Sequence, residues 1–272
     1  KLFDKIPFES MNPYLQKPGR NINWTWVLII VGLMALYNQH LIKTDPENTY
    51  PNRIRRALRL WWNPAGTELE KHLIGKGIRC QDPDLLYQKV AGATVVIQTH
   101  GGMGSGVFIG PRLIVTADHV VDGKNLTILL PQLENDALAK PGRRMGVGSV
   151  SRVKGLDLAF VTTRHAHPSW LNLEGDLQSV SDMMIVGHPK GKYYSLQKAR
   201  IKKKELMSVS EYVIFKDNEI FFGNSGGAMV NCNGNLVGVV SMMTDFQNSR
   251  LKEGVGINAN TIQKYAPNSK WR

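Results

Sequence analysis

Gly223-Asn224-Ser225-Gly226-Gly227-Ala228-Met229-Val230 is the stretch on which the reading of this chain turns. It sets one serine at the apex of a glycine-rich turn and runs straight into an apolar segment. Glycines on both sides permit positive φ and let backbone N–H groups converge on one point. Two such groups beside a serine hydroxyl are what acyl transfer needs to hold a developing oxyanion. Taken alone, the stretch suits a plain hairpin loop equally well, since Asn, Ser and Gly are ordinary turn residues.

A serine hydroxyl becomes a useful nucleophile only when a base takes its proton and a third group holds that base. Upstream, Gly104 to Val121 reads as strand, turn, strand, with His119 where the second strand gives out. Gly155 to Val161 then places Asp157 at the mouth of an apolar strand. Singly, His119 fits a hydrogen-bonded core histidine and Asp157 a strand-end cap. Jointly, the order His119, Asp157, Ser225 is one of the chain orders of a Ser-His-Asp triad. With the glycine-framed serine beside them, active-site roles for all three are the stronger reading.

The chain resembles the chymotrypsin-like (PA clan) serine proteases, and among them the HtrA/Deg-type protease domain. The likeness rests on Gly104-Ser105-Gly106-Val107, Val115-Thr116-Ala117-Asp118-His119-Val120-Val121 and Asp157-Leu158-Ala159-Phe160. It continues through Val186-Gly187-His188-Pro189-Lys190-Gly191, Gly223 to Gly227, Asn233 to Val240 and Gly254 to Asn258, covering roughly residues 89–267. The resemblance implies a mostly β fold, two six-stranded antiparallel barrels with the triad in the cleft between them. It implies His119 as general base, Asp157 as its orienter, Ser225 as nucleophile, and the N–H groups of Gly223 and Ser225 as oxyanion hole. It also puts Ser241, Met242 and Met243 on the substrate-pairing strand and Glu219 at the primary pocket. Met242, Met243 and Phe222 favour a medium apolar pocket over one made basic-selective by Glu219. Asn224 stands where digestive trypsins carry an aspartate for a released N-terminus, so no zymogen switch of that kind is expected. No peptide-binding (PDZ) domain, cofactor or metal site is expected; the seven histidines show no zinc spacing.

With 272 residues and 42% apolar content the chain can bury a full-sized core. The two cysteines, Cys80 and Cys232, are too few for the disulfide framework of an extracellular trypsin; they could pair, but Cys232 reads better as a small buried hydrophobe. Residues 1–21 read as a polar arm. Residues 22–42, with Trp24, Trp26 and Tyr37 as an aromatic belt, read as an α-helical membrane anchor. Residues 43–88 form a linker containing a short basic amphipathic helix over 52–62 and a little helix from Glu68 to Ile74. The protease domain takes 89–272, with strands over Ala93–Gln98, Leu126–Leu130, Met183–Val186, Tyr212–Phe215 and Leu236–Met243. Pro131 to Arg144 reads as a loop and Asn260 to Ala266 as a closing helix. The expected partners are polypeptide substrates, membrane lipid through 22–62, and a larger membrane complex. Net charge is +12, but the basic run Lys198 to Lys204 lacks interleaved aromatics, which disfavours nucleic acid and suits a solvated face. The setting is open between cellular processing or quality control, viral polyprotein cleavage, and a protease-fold structural subunit, as is the side of the membrane.

Overall fold

A computed structural model of the chain describes residues 33, 69, 80, 83–133, 137–177, 182–207, 210–216, 222–244 and 253–267. The chain divides into two compact units, 1–65 and 66–272. Of the first only Leu33, helical and exposed, is described. The expected anchor over 22–42, the basic helix over 52–62 and the helix from Glu68 lie outside the described residues, Leu33 and Leu69 excepted. Among the described residues no helix is long and apolar enough to cross a membrane.

The second unit opens with helix α1, Pro83–Ala93. Seven strands follow: β1 Thr94–Thr99, β2 Gly102–Gly110, β3 Leu113–Thr116, β4 Thr127–Gln132, β5 Lys140–Met145, β6 Val147–Arg152 and β7 Ala159–Thr163. They form one antiparallel sheet in the order β5-β4-β1-β2-β3-β7-β6. Six more, β8 Asp182–Gly187, β9 Ser195–Met207, β10 Ser210–Lys216, β11 Ala228–Val230, β12 Leu236–Thr244 and β13 Glu253–Asn258, close into a barrel. Helix α2, Ala259–Tyr265, ends the fold, capped by Asn258, whose side chain accepts from Asn260 N–H at 2.8 Å.

Strands β1, β3, β7, β8 and β11 read as largely apolar runs because both their faces are covered. Val95, Ile97, Ile114 and Val161 turn into the core of the first sheet, while Met183, Ile185, Val213, Phe215 and Met229 fill the barrel. The alternate residues, Val96, Leu113, Val115, Phe160, Met184, Val186, Ala228 and Val230, form a third core between the two lobes. That shared layer packs one lobe on the other.

Four expectations need correction. The first lobe is a seven-stranded sheet rather than a closed six-stranded barrel. Its two ends, β5 and β6, are separated only by Gly146, so one bent stretch of chain borders both sides. The expected loop from Pro131 holds β5, and Pro131 faces Pro141 where the β4–β5 register shifts. Prolines at an irregular edge remove no central ladder bond, so their presence hid a strand. The supposed linker up to residue 88 contains most of α1, which opens on Pro83 with Asp84 in its first turn. Leu86, Tyr87 and Val90 bury one side of it in the interlobe core beside Leu69. Finally, Cys232 is not a buried thiol: it lies exposed in the turn after β11, bonded to Cys80 with Cα atoms 5.1 Å apart.

Candidate active site

Three short segments build the site. A 3-10 turn at Asp118–Val121 follows β3 directly and carries His119. The β6–β7 turn, closed by Val153 N–H on Leu158 O at 2.9 Å, presents Asp157. The loop before β11 presents Ser225. Gly223 and Gly226 hold φ of +101° and +78°, and a Cβ at either would press onto backbone oxygen, that of His188 or Ser105. No residue with a side chain would fit there without moving the loop.

His119 Nδ1 lies 2.9 and 3.0 Å from the two Asp157 carboxylate oxygens, and His119 N–H donates to Oδ1 at 3.0 Å. The carboxylate is largely covered and the imidazole half exposed, at 19% and 53% of side-chain surface. The hydrogen bond to Asp157 pushes the ring's pKa up from the ordinary 6.5, against the effect of burial, with the Asp157 and Asp118 charges adding to it. Burial would push Asp157 up. Hydrogen bonds from the His119 ring, the Ser241 hydroxyl and the His119 amide outweigh it and hold the carboxyl below its ordinary 3.8. A carboxylate that accepts on Nδ1 leaves Nε2 as the imidazole's basic nitrogen.

Ser225, half-buried, shares one cleft of about 500 Å³ with His119, Met103, Asp122, Phe222 and Gly223. Among the described residues no hydrogen bond links the Ser225 hydroxyl to His119; such bonds often tighten only when substrate binds. Nor do the N–H groups of Gly223 and Ser225 donate to any described protein acceptor. Asn224 is fully buried and donates Nδ2–H to Gln197 Oε1 at 2.9 Å, a neutral pair where a charged one would need an ammonium. Val90 to Ala93 lie in the last turn of α1.

Of the expected substrate residues, Ser241 has a further task. The β12–β13 register shifts between Val240 and Met242, so Ser241 is the extra residue of a bulge. Its hydroxyl donates to Asp157 Oδ2 at 2.5 Å. Bulges re-aim side chains in this way. The signal in the sequence was a lone hydroxyl inside Val239-Val240-Ser241-Met242-Met243. Met242 and Met243 pair with Val255 and Gly254, and their side chains, like Glu219 entirely, lie outside the description. The basic run lies along β9, where Lys202 Nζ meets Glu253 Oε1 at 2.5 Å.

The family model for trypsin-like peptidase domains matches residues 104–239, half of the chain. The periplasmic serine endoprotease DegP of Escherichia coli is 27% identical over 172 residues, 59% of this chain and 34% of DegP. The chain thus spans about a third of the length of the curated relatives it matches. In fold it is similar to the Rv3671c protease of Mycobacterium tuberculosis in its active form, with TM-score 0.55 and 20% identity. That match covers 68% of this chain and 86% of the other. It is also similar to the MamO protease domain of Magnetospirillum magneticum, with TM-score 0.51 and 16% identity over 67% of this chain and all of that one. A matched family model, with its serine loop and histidine turn inside the matched span, makes the chain a member of the trypsin-like peptidase domain family.

Proposed function

We propose that the chain is a serine endopeptidase that cleaves polypeptides through an acyl-enzyme. The supporting observation is His119, held through Nδ1 by Asp157 at 2.9 Å in the cleft that Ser225 also lines. In this reading His119 Nε2 takes the Ser225 proton as Oγ adds to the scissile carbonyl. Asp157 stabilises the imidazolium, and the N–H groups of Gly223 and Ser225 take the oxyanion. The tetrahedral adduct collapses as His119 gives its proton to the leaving amine. Water, activated by the same base, then releases the acyl group. Binding of polypeptide along β12 at Ser241 to Met243, an apolar primary pocket and tethering to a membrane through 22–62 belong to the proposal. So does service in HtrA-type protein processing or quality control.

The test is hydrolysis of a fluorogenic peptide library by the wild type and by Ser225→Ala. Cleavage that the variant lacks supports the reading; turnover that survives in Ser225→Ala would refute it.

A further inference from the structure

Two motifs in the sequence, Gly104–Val107 and Val186–Gly191, have no part in the chemistry above, and they meet at the nucleophile loop. Every carbonyl from Phe222 to Ser225 is tied to a donor. Phe222 O accepts from Lys190 N–H at 2.8 Å, and Asn224 O from Gly227 N–H at 2.7 Å. Gly223 O accepts from the Ser105 hydroxyl at 2.8 Å and from His188 N–H at 3.3 Å. Ser225 O accepts from Ser105 N–H at 2.8 Å. A planar trans peptide points its N–H opposite its C=O. Phe222 O and Asn224 O share their peptide planes with the N–H groups of Gly223 and Ser225 and set where these point, while Gly223 O belongs to the Gly223–Asn224 plane that joins the two.

Ser105 supplies two of these donors, reaching from β2 in the first lobe to a loop carried by the second. Its side chain is fully buried. Its own carbonyl accepts from Thr116 Oγ1 at 2.6 Å, three residues before His119. The His188 turn is braced as well: Nδ1 accepts from Tyr194 N–H at 2.9 Å, and Nε2 lies 3.2 Å from Val95 O of β1. Burial pushes this imidazole down to about 4, so it stays neutral at working pH and keeps both bonds.

We propose that Ser105 is a positioning residue of the oxyanion hole. Its buried hydroxyl, donated to the Gly223 carbonyl, holds the Gly223–Asn224 peptide that joins the two oxyanion planes, and so keeps the N–H groups of Gly223 and Ser225 turned into the cleft before substrate arrives. The proposal rests on the serine-endopeptidase reading. Ser105→Ala removes one hydroxyl and leaves Gly223 O on the longer His188 bond alone. Deleting an oxyanion donor outright costs about 10²–10³ in kcat. Loosening one should cost about 10-fold in kcat, with KM changed less than about twofold.

The experiment has a kinetic arm and an arm independent of activity. Kinetically, kcat, KM and the affinity of a peptide boronic acid are compared in wild type, Ser105→Ala and Ser105→Cys, the last keeping the shape with a weaker donor. Independently, ¹³C-carbonyl-Phe and ¹⁵N-Gly labelling isolates the Gly223 amide, because Phe-Gly occurs once in the chain, at Phe222-Gly223. The proposal expects kcat and boronate affinity to fall together in Ser105→Ala, Ser105→Cys to lie between, and the Gly223 resonance to broaden or split. Unchanged kcat, a rise in KM alone, or one sharp unshifted Gly223 resonance in Ser105→Ala would overturn it. Should Ser105→Ala fail to fold, Ser105→Cys carries the same comparisons. If the wild type is inert to substrate and boronate, the endopeptidase reading fails, and the Gly223 resonance still decides whether Ser105 sets the loop.

Discussion

Asp157→Asn is the perturbation whose outcome the geometry specifies most fully. In the wild type Oδ1 accepts from both His119 N–H and Nδ1, while Oδ2 accepts from Ser241. An amide in that place leaves one acceptor oxygen for the two His119 donors and the Ser241 hydroxyl, sets an NH2 donor against one of them, and leaves no charge to stabilise the imidazolium. Loss of the orienting carboxylate from a triad costs about 10⁴ in kcat, which is about 5 kcal/mol of transition-state stabilisation at 1.36 kcal/mol per decade. The pH profile should move too. The base must be neutral to act, so the acid limb of kcat/KM reports the His119 pKa, which lies above 6.5 because of Asp157. With Asp157 neutral, burial becomes the leading influence and the limb should shift to lower pH. Stability follows the same linkage. A raised histidine pKa adds stability below the unfolded 6.5 that is lost as pH rises through the folded value, and Asp157→Asn should flatten that loss. The assay is a pH series of kcat/KM on a peptide amide, with urea midpoints alongside. A decrease under about 10-fold, or an acid limb that stays in place, would refute the proposed role of the His119–Asp157 pair.

Gly223→Ala forces a side chain into φ +101° against the His188 carbonyl; it should fold yet lose about 10²–10³ in kcat, read by active-site titration and circular dichroism. Reducing the Cys80–Cys232 bond opens a loop of 152 residues. The chain-entropy estimate for that loop is about 5 kcal/mol, so Cys80→Ser should lower the urea midpoint, and no shift would mean the loop is already constrained. Tyr87→Phe removes a hydroxyl that donates to Tyr194 O at 2.9 Å and accepts from Ala139 N–H at 3.0 Å. Two buried backbone groups left unpaired should cost about 2–6 kcal/mol in the same unfolding measurement.

The residues of the candidate site stood out in the sequence more than the scaffold around them did. His119, Asp157 and Ser225 are local features, each at a strand end or a glycine turn, and their chain order was informative. β1, β8, β10 and β12 were legible because apolar runs covered on two faces stand out from their surroundings. That the first lobe is a seven-stranded sheet rather than a closed barrel was not, because it depends on the step across Gly146 from β5 to β6 and on register shifts that leave no residue signature. Helix α1 was missed because it runs without a break into β1. The Cys80–Cys232 bond depends on a segment folding back over 152 positions, which no local pattern records. The Ser241 hydroxyl was visible, but its aim at Asp157 comes from a bulge and became readable only in three dimensions.

The most direct test of the account is covalent labelling of the purified chain by a fluorophosphonate at neutral pH, with Ser225→Ala and His119→Ala as controls. An assembled nucleophile, base and oxyanion hole predicts stoichiometric labelling at Ser225 that both variants lose. A folded wild type that takes no label, or a His119→Ala variant that labels at the wild-type rate, would contradict it.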